Sequence, residues 1–232
     1  MIRVIQGSES HHHPEIMDQM FRIRAAVFKD RLDWDVVVTD GWERDRFDDA
    51  DPLYLVSLDP ETEQVRGSLR LLPTTGPNML RDVFPVLLGP GEVVESPLIW
   101  ESSRFSINPE LASHQIEDHE PRWAPHKVTM ELLCGIVEVC QQAGIQFVVS
   151  VYDARMARIF KAADCPAEVI GTPTRIGKVM TYAGLFETND DMRERLGKAA
   201  GLFDPVLEQD KLVDMNTLSG ALVQSGFWHH AG

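Results

Sequence analysis

Three things are scarce in this chain: cysteine, positive charge and long apolar runs. Cys134, Cys140 and Cys165 are the only cysteines in 232 residues. No Cys-x-x-Cys spacing joins them and any pairing leaves one over, which fits buried thiols in a reducing cytoplasm. The apolar runs fall well short of the roughly 20 residues that cross a bilayer, and no charged-then-apolar signal opens the chain, so no membrane partner is expected. Lys and Arg number 22 against 36 Asp and Glu, a formal net charge of −14. Such a surface cannot neutralise a row of phosphates, so nucleic acid is not an expected partner either. Internal repeats, GxGxxG, Walker, HExxH and nucleophile-elbow motifs are also missing. Histidines do cluster at His11–His13 and at His114, His119 and His126, but without zinc-type spacing, and no metal site is expected.

What is present reads as one α/β domain, residues 1–232, with a core to about residue 187 and a helical extension over 188–232. A first strand is expected over 1–7, then a loop. Pro14 opens a helix in which Ile16, Met17, Met20, Phe21, Ile23, Val27 and Phe28 recur at helical spacing. Residues 52–58 and 65–72 read as a hairpin, with Arg66, Ser68 and Arg70 alternating onto one face. Residues 99–107 read as a strand with Glu101, Ser103 and Phe105 on one face and Trp100, Ser102 and Arg104 on the other. A polar loop over 108–125 is expected to act as a cover. Then come a helix over 127–142 ended by Gly144, a buried central strand over 145–152, and a helix capped by Asp153. Strands over 167–170 and 175–186 close the pattern. This order suggests an α/β sandwich around a mixed sheet.

The chemistry concentrates between residues 24 and 104. From Trp34 to Asp51 the chain interleaves Asp40, Glu43, Asp45, Asp48, Asp49 and Asp51 with Trp42 and Phe47. A charge run is ordinarily a solvated loop, but aromatic rings among carboxylates are what a site for a small organic cation requires. Arg24 sits on the helix face that carries Phe28. It either snorkels to solvent or turns inward onto the acids. Glu101, two residues before Ser103 on one strand face, has the arrangement of a general base sharing a water with a hydroxyl. Arg155, Arg158 and Lys161 step along one helix side as the best basic patch, suited to a phosphate or an acidic protein.

Arg24, Phe28, Trp34, Glu43, Asp45, Asp48, Arg70, Phe84, Glu101 and Arg104, in this order and near these spacings, resemble the invariant set of the acyl-homoserine-lactone (autoinducer) synthases. The strings FRIRAAVFKDRLDW, ERDRFDDADPLYL, SLRLLPTT, LRDVFP and WESSRF carry the likeness, which extends to about Phe186. The resemblance implies a GNAT-like N-acyltransferase sandwich: a central mixed sheet flanked by helices and split by a V-shaped cleft that admits an acyl-phosphopantetheine arm.

It also implies a reaction in which the amine of S-adenosylmethionine attacks an acyl thioester and its carboxylate then displaces the sulfonium. The products are an acyl-homoserine lactone, methylthioadenosine and the free carrier thiol. S-adenosylmethionine is then a substrate, and no cofactor is implied. Arg24, Phe28, Trp34, Asp45, Asp48, Arg70, Phe84 and Arg104 would bind it. Glu101, Ser103 and Glu43 would serve catalysis, with part of the acid–arginine set acting as scaffold. Met130, Leu133, Val149, Ser150 and Val151 would line the acyl pocket, Ser150 standing where relatives preferring 3-oxo chains carry threonine. Arg155, Arg158 and Lys161 would receive the donor, an acyl carrier protein or, alternatively, acyl-CoA. Two other readings stand beside this one: a CoA-dependent N-acyltransferase acting on another amine, and a non-catalytic sensor of S-adenosylmethionine or acyl groups.

Overall fold

The computed structural model describes residues 1–113 and 124–208. In chain order its elements are β1 (Ile2–Gln6), α1 (Pro14–Ala25), β2 (Val38–Thr39), β3 (Trp42–Glu43), β4 (Leu53–Leu58) and β5 (Val65–Pro73). They continue with α2 (Met79–Asp82), β6 (Ile99–Ile107), α3 (Glu110–Ser113), α4 (Ala124–Ala143), β7 (Phe147–Asp153), α5 (Ala154–Ala162), β8 (Glu168–Ile176), β9 (Val179–Glu187) and α6 (Asp190–Ala200). Most of the expected 108–125 cover and residues 209–232 of the expected extension lie outside the described residues.

Seven strands form one mixed sheet in the order β1-β4-β5-β6-β7-β9-β8. Every neighbouring pair is antiparallel except β6 and β7. On one face, α4 lays Leu132, Ile136, Val137 and Val139 against Leu53, Leu55, Leu69 and Leu71. On the other, α1 lays Met17, Met20 and Phe21 against Tyr54, Val56 and Val65. Burying each such side chain contributes about 1.5–3 kcal/mol, and the two layers pin the sheet from both sides.

The parallel pair is where the sheet opens. Pairing between β6 and β7 runs only from Ile99↔Phe147 to Ser102↔Ser150. Beyond it β6 continues to Ile107 and β7 to Asp153, so the strands separate into a V. The expected strand over 175–186 is instead the end of β8 and all of β9. Gly177 turns the chain between them at φ 58°, which a glycine adopts without steric cost.

Two bulges change which side chains share a face. Ser57 pairs with Gly67 but Leu58 pairs with Val65, which leaves Arg66 as the extra residue. Arg66 therefore turns to the α4 side, where it donates to Glu131 at 2.7 Å. Arg70 stays on the α1 side, so the expected common face of Arg66 and Arg70 does not form. The second bulge lies at Arg104, inside the site.

Candidate active site

Three elements bring the site residues together. Past α1 the helix widens into a π-type turn over Ala26–Arg31, in which the Leu32 amide donates to the Val27 carbonyl at 3.0 Å. The Trp34 amide then donates to the Phe28 carbonyl at 2.9 Å, which stacks the two rings with centroids 5.2 Å apart. The acidic stretch folds back as the small β2–β3 hairpin and a tight turn over Arg46–Asp49. Asp45 accepts from the Phe47 amide and Asp48 from the Asp45 amide, so both carboxylates are oriented by the turn itself.

The acids and arginines close a ring of alternating charge. Arg24 donates to Glu43 at 2.6 Å and grips Asp48 with both terminal nitrogens at 2.8 and 3.0 Å. Glu43 takes Arg104 at 3.0 Å, and Arg104 reaches Asp45 at 2.7 Å. Asp45 and Asp48 are both held by Arg70, at 2.6 and 2.9 Å. Tyr54 donates to Asp48 at 2.8 Å.

Arg24 is 1% exposed and Arg70 0%, and Glu43 and Asp48 are buried with them. Arg24 thus takes the inward course. The same burial makes Arg24, Glu43, Asp48 and Arg70 a fully paired scaffold, as a buried carboxylate requires. Asp45 and Arg104 line both cavities of the site, and Glu43 lines the smaller one. Burial alone would push the Asp48 carboxyl up, but Arg24 and Arg70 outweigh it and hold it well below the usual carboxylate range.

Arg104 owes its place to backbone strain. It stands at φ 54°, in the left-handed region unfavourable to a side-chain-bearing residue. Around it the β5–β6 register slips between the Ser68↔Ser106 and Arg70↔Ser103 pairs. The extra residue rotates Arg104 onto the face of Glu101 and Ser103 and sends Phe105 to the α4 side, where it packs on the main core. Simple alternation, which puts Arg104 opposite Glu101, fails at this point. Arg104 also lies over the Phe28 ring, 5.3 Å from its centroid.

Glu101 is 1% exposed. Its two oxygens accept from the Leu80 amide at 2.6 Å and the Met79 amide at 2.8 Å. Burial raises its pKa, against the pull of those two amides and of Arg70 and Arg104. Ser103 accepts from the Arg70 Nε at 3.2 Å. Glu101, Ser103, Arg104, Phe28, Trp34 and Phe84 all line one cavity of about 1310 Å³ that passes through the V between β6 and β7. A second depression of about 890 Å³, lined by Trp42, Thr39, Asp40 and Asp35, meets the first at Asp45 and Arg104.

On the α4 side the cavity wall is mostly apolar. Leu133 and Ser150 line it, as do Phe105, Ile136, Val137, Tyr152, Phe160 and Phe186, which sequence reasoning missed, while Val151 lines the cavity from the opposite face of the sheet. Met130 does not line it but is fully buried in the main core, and Val149 points to the opposite face of the sheet, against Leu80 and Ala183. The hydroxyl of Ser150 donates to the Ser102 carbonyl at 2.9 Å and is occupied as a donor. At the rim, Arg155 and Arg158 of α5 line the mouth, while Lys161 is exposed one turn further on. Arg31 and Lys178 join them from the π-type turn and the β8–β9 turn. None of these cations is ion-paired among the described residues.

The autoinducer synthase family profile matches residues 8–196. An acyl-homoserine-lactone synthase of Rhizobium etli is 38% identical over 193 residues, covering 82% of this chain and 86% of that protein. The structure of a CoA-dependent acyl-homoserine lactone synthase with S-adenosylmethionine and isopentyl-CoA superposes with a TM-score of 0.80 at 26% identity, covering 96% and 99% of the two chains. A Lactobacillus plantarum protein assigned to the N-acetyltransferases shares the fold at a TM-score of 0.51 and 14% identity, covering 81% of this chain and 99% of that one. The sheet split at its one parallel pair is therefore the GNAT-like arrangement, and the chain belongs to the autoinducer synthase family of acyltransferases.

Proposed function

We propose that the chain condenses S-adenosylmethionine with an acyl thioester and closes the product to an acyl-homoserine lactone, meeting the two substrates from opposite sides of the V. One observation carries this reading. A single cavity joins a charged, aromatic site on the α1 side to an apolar pocket on the α4 side, through the gap between β6 and β7. Two substrates that differ this sharply in polarity can each bind on the matching side and react at the gap.

S-adenosylmethionine offers an amine, a carboxylate, a sulfonium and an adenine. Arg104, the arginine of the ring that reaches the cavity, receives the carboxylate. Phe28, Trp34 and Phe84 supply ring surface for the sulfonium and adenine. Glu101, relayed by water and Ser103, takes the proton from the amine, since an ammonium cannot attack a thioester. A raised pKa makes Glu101 the stronger base. The nitrogen lone pair then forms the amide as the thiolate leaves. The freed carboxylate oxygen attacks the carbon bearing sulfur and expels methylthioadenosine. Glu43, buried and doubly paired, acts by holding Arg24 and Arg104 in place rather than on substrate.

The donor carries phosphate, which the rim cations Arg31, Arg155, Arg158 and Lys178 suit. Asp153 favours a carrier protein over CoA. Its carboxylate accepts from the Arg155 and Met156 amides at 2.9 Å, filling the helix start that would otherwise cradle a diphosphate. Three buried free thiols fit work in the cytoplasm, and no helix among the described residues is long and apolar enough to cross a membrane. The test supplies one acyl chain on carrier protein and on CoA, with S-adenosylmethionine. The expected result is a higher kcat/KM from the carrier; a higher value from CoA overturns the donor assignment.

A further inference from the structure

Glu101 is held by backbone that another side chain arranges. The two amides it accepts from belong to Met79 and Leu80, the first residues of α2, which is only four residues long. The loop before α2, residues 74–78, leaves the sheet at the end of β5, and Asn78 ties loop and turn together. Asn78 is 1% exposed. Its side-chain oxygen accepts from the Arg81 amide at 3.0 Å. Its side-chain nitrogen donates to the Gly76 carbonyl at 3.0 Å and the Thr74 carbonyl at 3.2 Å. Thr74, fully buried, anchors the loop in turn: its hydroxyl donates to the Ile99 carbonyl at 2.7 Å and accepts from the Ser96 amide at 3.1 Å. A chain of hydrogen bonds thus runs from the start of β6 through Thr74 and Asn78 to the amides that face Glu101.

A cap on the Arg81 amide would be served equally by serine, threonine or aspartate. Two further bonds to carbonyls call for the donors of a carboxamide, and an aspartate would bury a second carboxylate one residue from the amide that holds Glu101. Asn78 does not line the cavity, so it acts at a distance from substrate. The charges that face Glu101 are Arg70 from β5 and Arg104 from its own strand, while its direct neighbours across the sheet, Leu72 and Val149, are apolar. Burial pushes the carboxyl towards its neutral form, and the two amides and two arginines pull the other way. Hydrogen bonds to a carboxylate are strong and directional, so the aim of these amides decides where it points and how readily it takes a proton. We infer that Asn78 is a positioning residue of the reaction proposed above, on which this inference rests: it aims the Met79 and Leu80 amides at Glu101 and so holds the base in place beside Ser103.

The experiment compares wild type, Asn78→Ala and Asn78→Ser in the pH profile of kcat, from methylthioadenosine release, and in calorimetric affinity for S-adenosylmethionine. Asn78→Ala should lower kcat about tenfold or more and move its acid limb up by about one pH unit, because the ionised carboxylate loses donors. Affinity for S-adenosylmethionine should change less than about threefold, since Arg104 keeps Glu43 and Asp45. Asn78→Ser keeps an acceptor for the Arg81 amide and loses both donors, so its acid limb should move the same way by less. If Asn78→Ala does not fold, Asn78→Ser decides alone. A general loosening of the fold lowers kcat and affinity together, and that result overturns the inference, as does an acid limb that stays where it is. Carbon NMR follows the Glu101 carboxyl itself, assigned by its absence from Glu101→Gln, and needs no turnover. If the wild type releases no methylthioadenosine, the synthase reading fails, and the titration still decides for or against Asn78.

Discussion

Arg104 meets Glu43 at 3.0 Å from a backbone that stands at φ 54°, so an unfavourable conformation on β6 holds the ring's cavity-facing arginine in place. Strain of this kind costs about 1–3 kcal/mol and persists where the surrounding structure over-determines it. Here the determinants are Glu43 and Asp45 on one side and the bulged β5–β6 register on the other.

Arg104→Ala is expected to lower kcat/KM for S-adenosylmethionine by about a hundredfold or more, through lost charge-assisted binding. Stability should fall as well, because buried Glu43 and Asp45 each lose a partner and alanine keeps the Cβ that makes φ 54° unfavourable. Calorimetric titration and a thermal melt read the two effects separately. Unchanged affinity would remove Arg104 from the binding site.

Asp48→Asn opens the ring at a buried position and leaves Arg24 and Arg70 without their common partner. The expected loss is about 3–5 kcal/mol in a denaturant melt, as for other broken buried pairs. The acid response follows from the same residue. Its folded pKa is depressed, so the stability it contributes is complete above the unfolded value of about 3.9 and drains away as pH falls towards the folded value. The wild type should therefore lose stability below about pH 4 more steeply than Asp48→Asn. Parallel curves for the two proteins would contradict this.

Glu101 shifts the other way. Its pKa is raised by burial, so the acid limb of the rate profile should lie above the ordinary glutamate value of about 4.3. Between the unfolded and folded values the unfolded state releases its proton first, so ionised Glu101 lowers stability as pH rises through that window. Glu101→Gln should abolish the acid limb and most of the turnover. Equal loss of turnover and S-adenosylmethionine binding would contradict its role as base.

Arg155→Glu should raise the donor KM about tenfold or more at low ionic strength without moving the KM for S-adenosylmethionine. Added salt should raise the wild-type donor KM and affect the variant far less, since exposed rim charges are screened over roughly 10 Å at 0.1 M. A donor KM insensitive to both would leave the rim without a role.

Much of this was legible in the sequence because it depends on local pattern. The α1 stripe, the 53–73 hairpin and the continuous apolar run of β7 follow from periodicity alone. The charged residues of the site were legible as types. Their division into scaffold and cavity wall was not, because it depends on which side chains the ring buries. The two bulges hid most effectively. A single extra residue at Arg66 or Arg104 reverses alternation, and neither position carries the glycine that would announce it. Met130 and Val149 read as pocket residues since apolar character does not distinguish a cavity wall from a core.

The most direct test of the central claim is mass spectrometry of the purified protein with S-adenosylmethionine and an acyl donor. The account predicts acyl-homoserine lactone and methylthioadenosine in equal amounts, both dependent on Glu101 and Arg104. An acylated amine formed without methylthioadenosine, or S-adenosylmethionine bound and never consumed with any donor, would contradict it.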